Sequence, residues 1–237
     1  MSKSTKVVAA RGNSLNVAFQ QIREMIVRGQ LSPGSWIIEA DLAARLGVSR
    51  TLVRGALHWL QREGYVIASG NTSKVRMMVA PLTQDDAREL YAIVGHIEGL
   101  AARLTAQLPS EQRDVIIQKL TDINVELAET AHARRTEPNR IFDLDTTFHR
   151  TVVEASAGGR LLDLYKSIKP QTERYWRLYA SAILDELATS VAEHDVILAA
   201  LREGDADGAE KGIQANWVNG AERLAKVIDS LGERGSW

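Results

Sequence analysis

The sequence predicts a mainly α-helical protein in which a small N-terminal module with a β wing precedes a larger, all-helical module. Apolar residues recur at helical spacing along most of the 237-residue chain and make up 45% of it, enough for a sizeable core. The charges are unevenly divided. Residues 1–80 contain 11 Lys and Arg against 4 Asp and Glu, a net charge of +7, whereas the remainder contains 18 against 26, a net charge of −8. A basic first module and an acidic second one indicate two domains, of which the first meets a polyanion.

The composition excludes several classes of protein. The chain has no cysteine, which rules out a disulfide framework and a thiolate metal site. No apolar run approaches the roughly 20 residues of a membrane span, and the basic N-terminus lacks the apolar core of a secretion signal. We therefore expect a cytoplasmic protein without a membrane partner.

The first element is a helix, which Ser14 can cap and Gly29 can end. The apolar positions between these two residues follow helical spacing: Leu15, Phe19, Ile22 and Ile26. The segment LSPGS then predicts a turn, and Trp36–Ile38 has the composition of a short strand.

Two short helices joined by a tight turn come next, in the segment EADLAARLGVSRTLVRGALHWLQREG. Gly47 ends the first helix at a position that favours a left-handed residue, and Ser49 caps the second. The second helix has an inward apolar stripe: Val53, Ala56, Leu57 and Leu60. This stripe leaves Arg50, Thr51 and Arg54 together on the outer face near the N-terminus. Such a pair of helices is typical of a helix-turn-helix.

A hairpin follows the second of these helices. After Gly64, the segments YVIAS and KVRMMV alternate in polarity like two strands, and the polar stretch GNTS lies between them. We interpret the hairpin as a wing, so residues 1–80 are predicted to form a winged helix-turn-helix domain.

The pattern LSPGS…LAARLGVSRTLVRGALHWLQREGYV resembles the winged helix of GntR-family transcriptional regulators over about the first 80 residues. The resemblance implies that the second helix enters the major groove of operator DNA and that the wing approaches the minor groove. Carried over by position, the DNA-contacting residues would be Ser49, Arg50, Thr51, Arg54, Gly70 and Asn71. An arginine fork suits this role because it can bond two acceptors on a guanine or clamp a phosphate. The alternative is that Arg50 and Arg54 are ordinary solvated charges.

The acidic module is predicted to span residues 83–237 as a bundle of successive helices. Pro81 and the capping residue Thr83 mark the junction between the modules. Proline, glycine and capping residues delimit six helices: 83–107, 110–130, 138–156, 158–187, 190–203 and 205–231.

Three polar side chains occupy positions where these helices present apolar stripes. In NRIFDLDTTFHRTVVEAS, Asp145 and His149 lie one turn apart, and His194 is central in SVAEHDVILAALREG. An ionised aspartate in a dry core costs several kcal/mol unless it is paired or bound to a metal. Three mixed oxygen and nitrogen donors suit Zn²⁺, Ni²⁺ or Mn²⁺. A hydrogen-bonded pair of Asp145 and His149 without metal is the alternative.

The segment FDLDTTFHRTVVEAS…EHDVILAALREGDADGAEKGIQANW is similar to the FCD effector domain of FadR-subgroup GntR regulators, and the similarity covers most of residues 83–230. In its metal-containing members, an Asp and a His four residues apart and two later His bind the ion. The matching residues here are Asp145, His149, His194 and Asn216, the last in place of the usual histidine. The resemblance also implies a small organic acid as effector. Its pocket is expected to include four side chains of the segment TERYWRLY: Arg174, Tyr175, Trp176 and Arg177. The alternative is that these side chains contribute only to ordinary packing.

These expectations combine into a homodimeric DNA-binding transcriptional regulator, a repressor that leaves its operator when an organic acid binds beside the metal. Such a protein is not an enzyme. One alternative is a metal-dependent enzyme in which Asp145, His149 and His194 activate water. Another is a regulator whose signal is the metal ion itself.

Overall fold

A computed structural model describes residues 3–69, 76–131, 138–183 and 187–235 of the chain. The chain divides into two compact units, one formed by Met1–Thr83 with Glu233–Trp237 and the other by Gln84–Gly232. The C-terminal segment therefore departs from the prediction that residues 83–237 form one module. The backbone explains this difference, because Leu82 and Arg234 exchange two hydrogen bonds with N–O distances of 2.8 and 3.1 Å.

The described part of the first unit contains α1 (Lys3–Val27), α2 (Glu39–Leu46), α3 (Arg50–Arg62), β1 (Val66–Ser69) and β2 (Arg76–Val79). The two strands pair antiparallel and form the hairpin of the predicted wing. The predicted strand at Trp36–Ile38 is reduced to a single bridge between Trp36 and Met78. The start predicted for the first helix at Ser14 is wrong, since α1 already includes the preceding segment, where alanines favour a helix.

Local interactions fix the turn between α2 and α3. Gly47 adopts φ 65° and ψ 30°, a left-handed conformation that a side chain disfavours. The Ser49 side chain accepts a hydrogen bond from the backbone N–H of Leu52 over 3.3 Å and so caps α3. The predicted apolar stripe of α3 is buried: Val53, Ala56, Leu57 and Leu60. The helix α3 packs against α1. The outer face of α3 thus remains free to meet a partner.

The second unit contains, in its described part, α4 (Gln84–Ala106), α5 (Ser110–Ala131), α6 (Pro138–Ser156), α7 (Gly159–Ile183), α8 (Leu187–Glu203) and α9 (Ala206–Leu231). These helices agree closely with those predicted. Both α4 and α5 pack against α6 and α8, so polar groups from four helices can meet in the interior. No helix in the described ranges is long and apolar enough to cross a bilayer.

A close approach of α4 and α9 depends on Gly95. A Cβ atom at this position would lie 2.9 Å from the Trp217 Cβ, closer than real side-chain atoms come. Only glycine lets the two helix backbones approach this far without moving Trp217. The position of this tryptophan matters for the site described next.

Candidate metal centre and nucleic-acid interface

Asp145 and His149 on α6 and His194 on α8 meet inside the second unit. One ligand atom from each residue can be chosen so that all three lie within 4.8 Å of one another. Both imidazoles are buried, whereas the Asp145 side chain is 28% exposed. The spacing of four residues places Asp145 and His149 on one face of α6. The structure therefore brings together the three side chains that the sequence pattern singled out.

The Glu98 carboxylate on α4 fixes the orientation of His149. His149 Nδ1 donates to Glu98 Oε2 over 2.6 Å, and the Trp217 indole Nε1 donates to the same oxygen over 2.7 Å. Burial disfavours charge on both partners, yet the Glu98 charge raises the pKa of His149 and the His149 imidazole lowers the pKa of Glu98. Because Nδ1 is committed to Glu98, Nε2 is the atom of His149 that faces the cluster.

Asn124 on α5 fixes the tautomer of His194. The Asn124 Nδ2 group donates to Val191 O over 3.2 Å and to Asp195 Oδ1 over 2.9 Å, so its Oδ1 is an acceptor. His194 Nδ1 lies 3.0 Å from that oxygen and must carry the proton. The Phe148 ring stacks on the His194 imidazole with centroids 3.8 Å apart, which holds the plane of the ring.

The other nitrogen of His194 is a buried acceptor without a hydrogen bond. Nε2 lies 3.7 Å from Asp145 Oδ1 and has no hydrogen-bond partner among the described residues. Burial, together with the charges of His149 and Arg223, lowers the pKa of His194 well below its usual range. The ring is therefore neutral near pH 7 and directs a lone pair at the cluster. A buried lone pair beside a carboxylate and a second imidazole matches the donor set of a divalent transition metal.

Asn216 on α9 is buried and lies in the wall of the adjoining cavity. Its Nδ2 group donates to Glu193 Oε2 over 2.7 Å. Glu193 is itself held by Arg223 Nη1 at 2.8 Å and by Asn219 Nδ2 at 2.9 Å. Because the carboxylate must face the amide nitrogen, the amide oxygen of Asn216 is the atom that this bond leaves able to accept or to coordinate.

The cavity has a volume of about 80 Å³. Its wall combines two of the clustered side chains with two cations: Asp145, His149, Lys169 and Arg223. The Lys169 ammonium lies 4.4 Å from the centroid of the Trp217 ring. A small cavity with a lysine and a candidate metal site suits a small anion.

The pocket residues expected from TERYWRLY are placed differently by the structure. Trp176 lines the cavity together with Lys169 and Thr172, which lie on the same face of α7. The other three predicted residues are absent from its wall: Arg174, Tyr175 and Arg177. The helical rotation of about 100° per residue turns them to other faces of α7. The Tyr175 hydroxyl accordingly donates to Asp86 Oδ2 over 2.5 Å, and Arg177 Nε donates to Glu173 Oε1 over 2.8 Å.

The residues predicted to contact DNA cluster at the start of α3. All four side chains are exposed: Ser49, Arg50, Thr51 and Arg54. Arg54 also forms an ion pair with Glu39 of α2. The two predicted wing-tip residues, Gly70 and Asn71, lie outside the described residues.

Sequence reasoning missed the groups that orient the cluster. Glu98 follows Val94 by four residues on the buried face of α4, so its inward position was accessible from periodicity. Asn124 is the corresponding buried polar residue of α5. For Lys169 and Arg223, the sequence gives no comparable signal, because both lie among other polar residues on long helices.

Comparison with known proteins decides the family. Residues 16–73 match the family model of bacterial regulatory proteins of the gntR family, and residues 89–217, more than half of the chain, match the FCD domain. The chain belongs to the GntR family, in its FadR-like subgroup. It is a DNA-binding transcriptional regulator that pairs a GntR helix-turn-helix with a C-terminal FCD domain.

Relatives of full length support this identification. The chain is 26% identical over 211 residues to the HTH-type transcriptional regulator YdhC of Bacillus subtilis (strain 168), covering 89% of this chain and 91% of that protein. It is 31% identical over 196 residues to a Paenarthrobacter nicotinovorans protein described as "Probable D-xylose utilization operon transcriptional repressor", covering 80% and 81%. These relatives are regulators and not enzymes, which removes the alternative of a metal-dependent enzyme.

The fold also matches a solved structure of E. coli McbR/YncC. The TM-score is 0.66 at 18% sequence identity, covering 90% of this chain and 97% of that chain. At this identity the match concerns the fold alone.

Proposed function

We propose that this GntR regulator is a repressor that responds to a small organic acid bound beside a divalent metal ion in its FCD domain. The observation that carries the proposal is the buried Nε2 lone pair of His194, which lies beside Asp145 and His149 and has no hydrogen-bond partner in the part of the chain that the structure describes. Leaving such an acceptor unsatisfied costs about 1–3 kcal/mol, and a metal ion would satisfy it.

The donor set fits Zn²⁺, Ni²⁺ or Mn²⁺, which accept mixed oxygen and nitrogen ligands. Asp145, His149 and His194 would hold the ion, and the Asn216 amide oxygen is available as a weaker, neutral fourth ligand. When bound, the ion supplies a Lewis-acidic centre for an anionic oxygen. Glu98 has a supporting role, since it accepts the Nδ1 proton of His149 in a hydrogen bond and so makes Nε2 the nitrogen that would bind the ion.

The effector class follows from the wall of the cavity. Lys169 places a cation beside the candidate metal site that complements a carboxylate, and Arg223, whose charge is paired with Glu193, lies in the same wall. The volume of about 80 Å³ restricts the effector to a small molecule. Repression as the mode of action is supported by the relative described as a repressor of a D-xylose utilization operon.

Operator DNA would meet the exposed start of α3. We assign base and phosphate contacts to the four exposed residues of this face and to the tip of the wing: Ser49, Arg50, Thr51, Arg54, Gly70 and Asn71. As bacterial DNA lies in the cytoplasm, this is where the protein would act.

A homodimer would supply the two winged helices that an operator with two half-sites requires. We assign dimerisation to the FCD domain, where Ile93 and Leu100 are exposed seven residues apart on α4 and form an apolar stripe. The basic first unit, by contrast, would repel its own copy. Sedimentation of the full chain at micromolar concentration should show a dimer, and replacement of both Ile93 and Leu100 by Lys should leave a monomer.

Metal content tests the central proposal. Full-length protein purified without chelator should contain about one divalent ion per chain by elemental analysis after gel filtration, and His194→Ala should lose most of it, because three protein ligands are near the minimum for retention. His96→Ala, which removes an exposed histidine on α4, is the matched control and should retain the ion. Wild-type protein with less than about a tenth of an equivalent would contradict tight binding.

The remaining alternative, in which the ion itself is the signal, has a distinct outcome. Metal-loaded and chelated protein would each be titrated with a panel of small organic acids while bound to DNA. Release by an acid that depends on the ion supports the effector proposal. Release by added ion alone, without any acid, would identify the metal as the signal.

A further inference from the structure

Glu39 and Arg54 form an ion pair across the turn of the helix-turn-helix. Glu39 is the first residue of α2, and Arg54 lies on the second turn of α3. The Nη2–Oε2 distance is 2.7 Å, and Nε lies 3.1 and 3.2 Å from the two carboxylate oxygens. The pair lies at the surface, with 64% of the Arg54 side chain exposed. An acidic residue on the cationic face of a DNA-binding helix needs a specific explanation, since it repels phosphate.

Glu39 binds one edge of the Arg54 guanidinium and leaves the edge that can contact a base. A guanidinium has five N–H donors, and Glu39 occupies the side edge formed by Nε and Nη2. The end edge, formed by Nη1 and the second hydrogen of Nη2, remains available. The same two terminal nitrogens donate in the bidentate contact with O6 and N7 of a guanine.

The surroundings leave this pair open to a ligand. Glu39 and Arg54 line an open groove of the first unit, together with His58 and Arg76. The Arg54 hydrogen bond lowers the pKa of Glu39, and Arg50 and His58 contribute in the same direction. The carboxylate is therefore ionised and surrounded by cationic groups, so it cancels only part of the positive charge of this face.

We propose that Glu39 is a positioning residue for base reading: it holds the side edge of Arg54 so that the end edge is presented to the DNA in one orientation. This inference rests on the proposed role of α3 in operator binding. A long side chain loses rotamer freedom when it binds, and an ion pair formed beforehand removes part of that loss. Glu39 would thereby increase discrimination between sequences, although its charge weakens the attraction to DNA in general.

The test compares specific with non-specific binding. Wild-type protein would first enrich a duplex from a library with a random central insert. Binding of this duplex and of a scrambled duplex would then be measured at one salt concentration for wild type, Glu39→Gln and Arg54→Lys. We expect the Glu39→Gln protein to bind the scrambled duplex at least as well as wild type does. Its ratio of specific to non-specific affinity should be lower by about fivefold or more. Arg54→Lys, which keeps the charge and loses the fork, should lower the ratio as well.

Two controls separate positioning from charge. Asp41→Asn removes one exposed negative charge from the same helix without touching Arg54, and it should leave the ratio unchanged. In the Arg54→Lys background, Glu39→Gln should have no further effect on the ratio, because the guanidinium that Glu39 positions is absent.

The outcomes distinguish this inference from the proposal on which it rests. If Glu39→Gln strengthens binding to both duplexes equally, Glu39 only screens charge and the inference is wrong. If Arg54→Lys keeps the wild-type ratio, Arg54 reads no base and the inference is also wrong. A wild-type protein that enriches no sequence would instead overturn the proposed interface itself.

Discussion

Glu98 and His149 are joined by a 2.6 Å hydrogen bond between two fully buried side chains on different helices. A buried carboxylate is costly unless it is paired, and this one receives donors from α6 and α9 on the same oxygen. The pair therefore links three helices directly behind the proposed metal ligands. In metal sites, such a carboxylate sets the direction and the basicity of the imidazole.

Replacement of Glu98 should weaken metal binding without removing a ligand. Glu98→Gln keeps the size of the side chain but loses the charge that holds the His149 proton, so metal affinity should fall about 10- to 100-fold. Competition with a chelating dye measures this directly. Glu89→Gln, an exposed change on the same helix, is the control. An unchanged affinity in Glu98→Gln would show that this carboxylate has only a structural role.

Asn216→His should strengthen metal binding. An imidazole nitrogen is a better ligand than an amide oxygen for Zn²⁺ or Ni²⁺, and it restores the fourth ligand of metal-containing FCD domains. We expect the dissociation constant of the ion to decrease by about tenfold or more in calorimetric titration. Asn219→His, one turn further along α9 and also bonded to Glu193, should have no such effect. Equal gains in both variants would indicate binding outside the proposed site.

Gly95→Ala should destabilise the FCD domain. The new Cβ atom would lie 2.9 Å from the Trp217 Cβ, and overpacking of this kind costs about 1–3 kcal/mol. The higher helix propensity of alanine offsets at most about 1 kcal/mol of this cost. Thermal unfolding of chelated protein should therefore show a lower midpoint. Gly220→Ala on α9 is the control, since its nearest neighbour would be 3.6 Å away, and this variant should be at least as stable as wild type.

Arg50→Ala should weaken binding to an enriched operator duplex about ten- to hundredfold if its fork reads a base. Arg50 lies at the exposed start of α3, whereas Arg62 lies at the other end of the same helix. Arg62→Ala removes the same charge and should have little effect in a gel shift. Similar losses in the two variants would mean that the helix contributes only its general positive charge.

The parts of the fold that follow from local periodicity were predicted well, and those that depend on tertiary contacts were not. The six FCD helices and the inward positions of Asp145, His149 and His194 follow from apolar spacing within single helices. Arg174, Tyr175 and Arg177 are absent from the wall of the cavity, because the rotation of α7 turns them to other faces of the helix. Lys169 approaches the site only when α7 packs in the bundle, a relationship that no local pattern encodes.

The position of Trp217 gives the proposed site an optical signal. Its indole ring lies 5.3 Å from the His149 ring and bonds to the carboxylate that orients this histidine. A paramagnetic ion such as Ni²⁺ at the site would quench the fluorescence of this indole, whereas Zn²⁺ has a filled d shell and would not quench it in this way. The emission of this indole, one of five tryptophans in the chain, would thus report both the arrival of an ion and its electronic class.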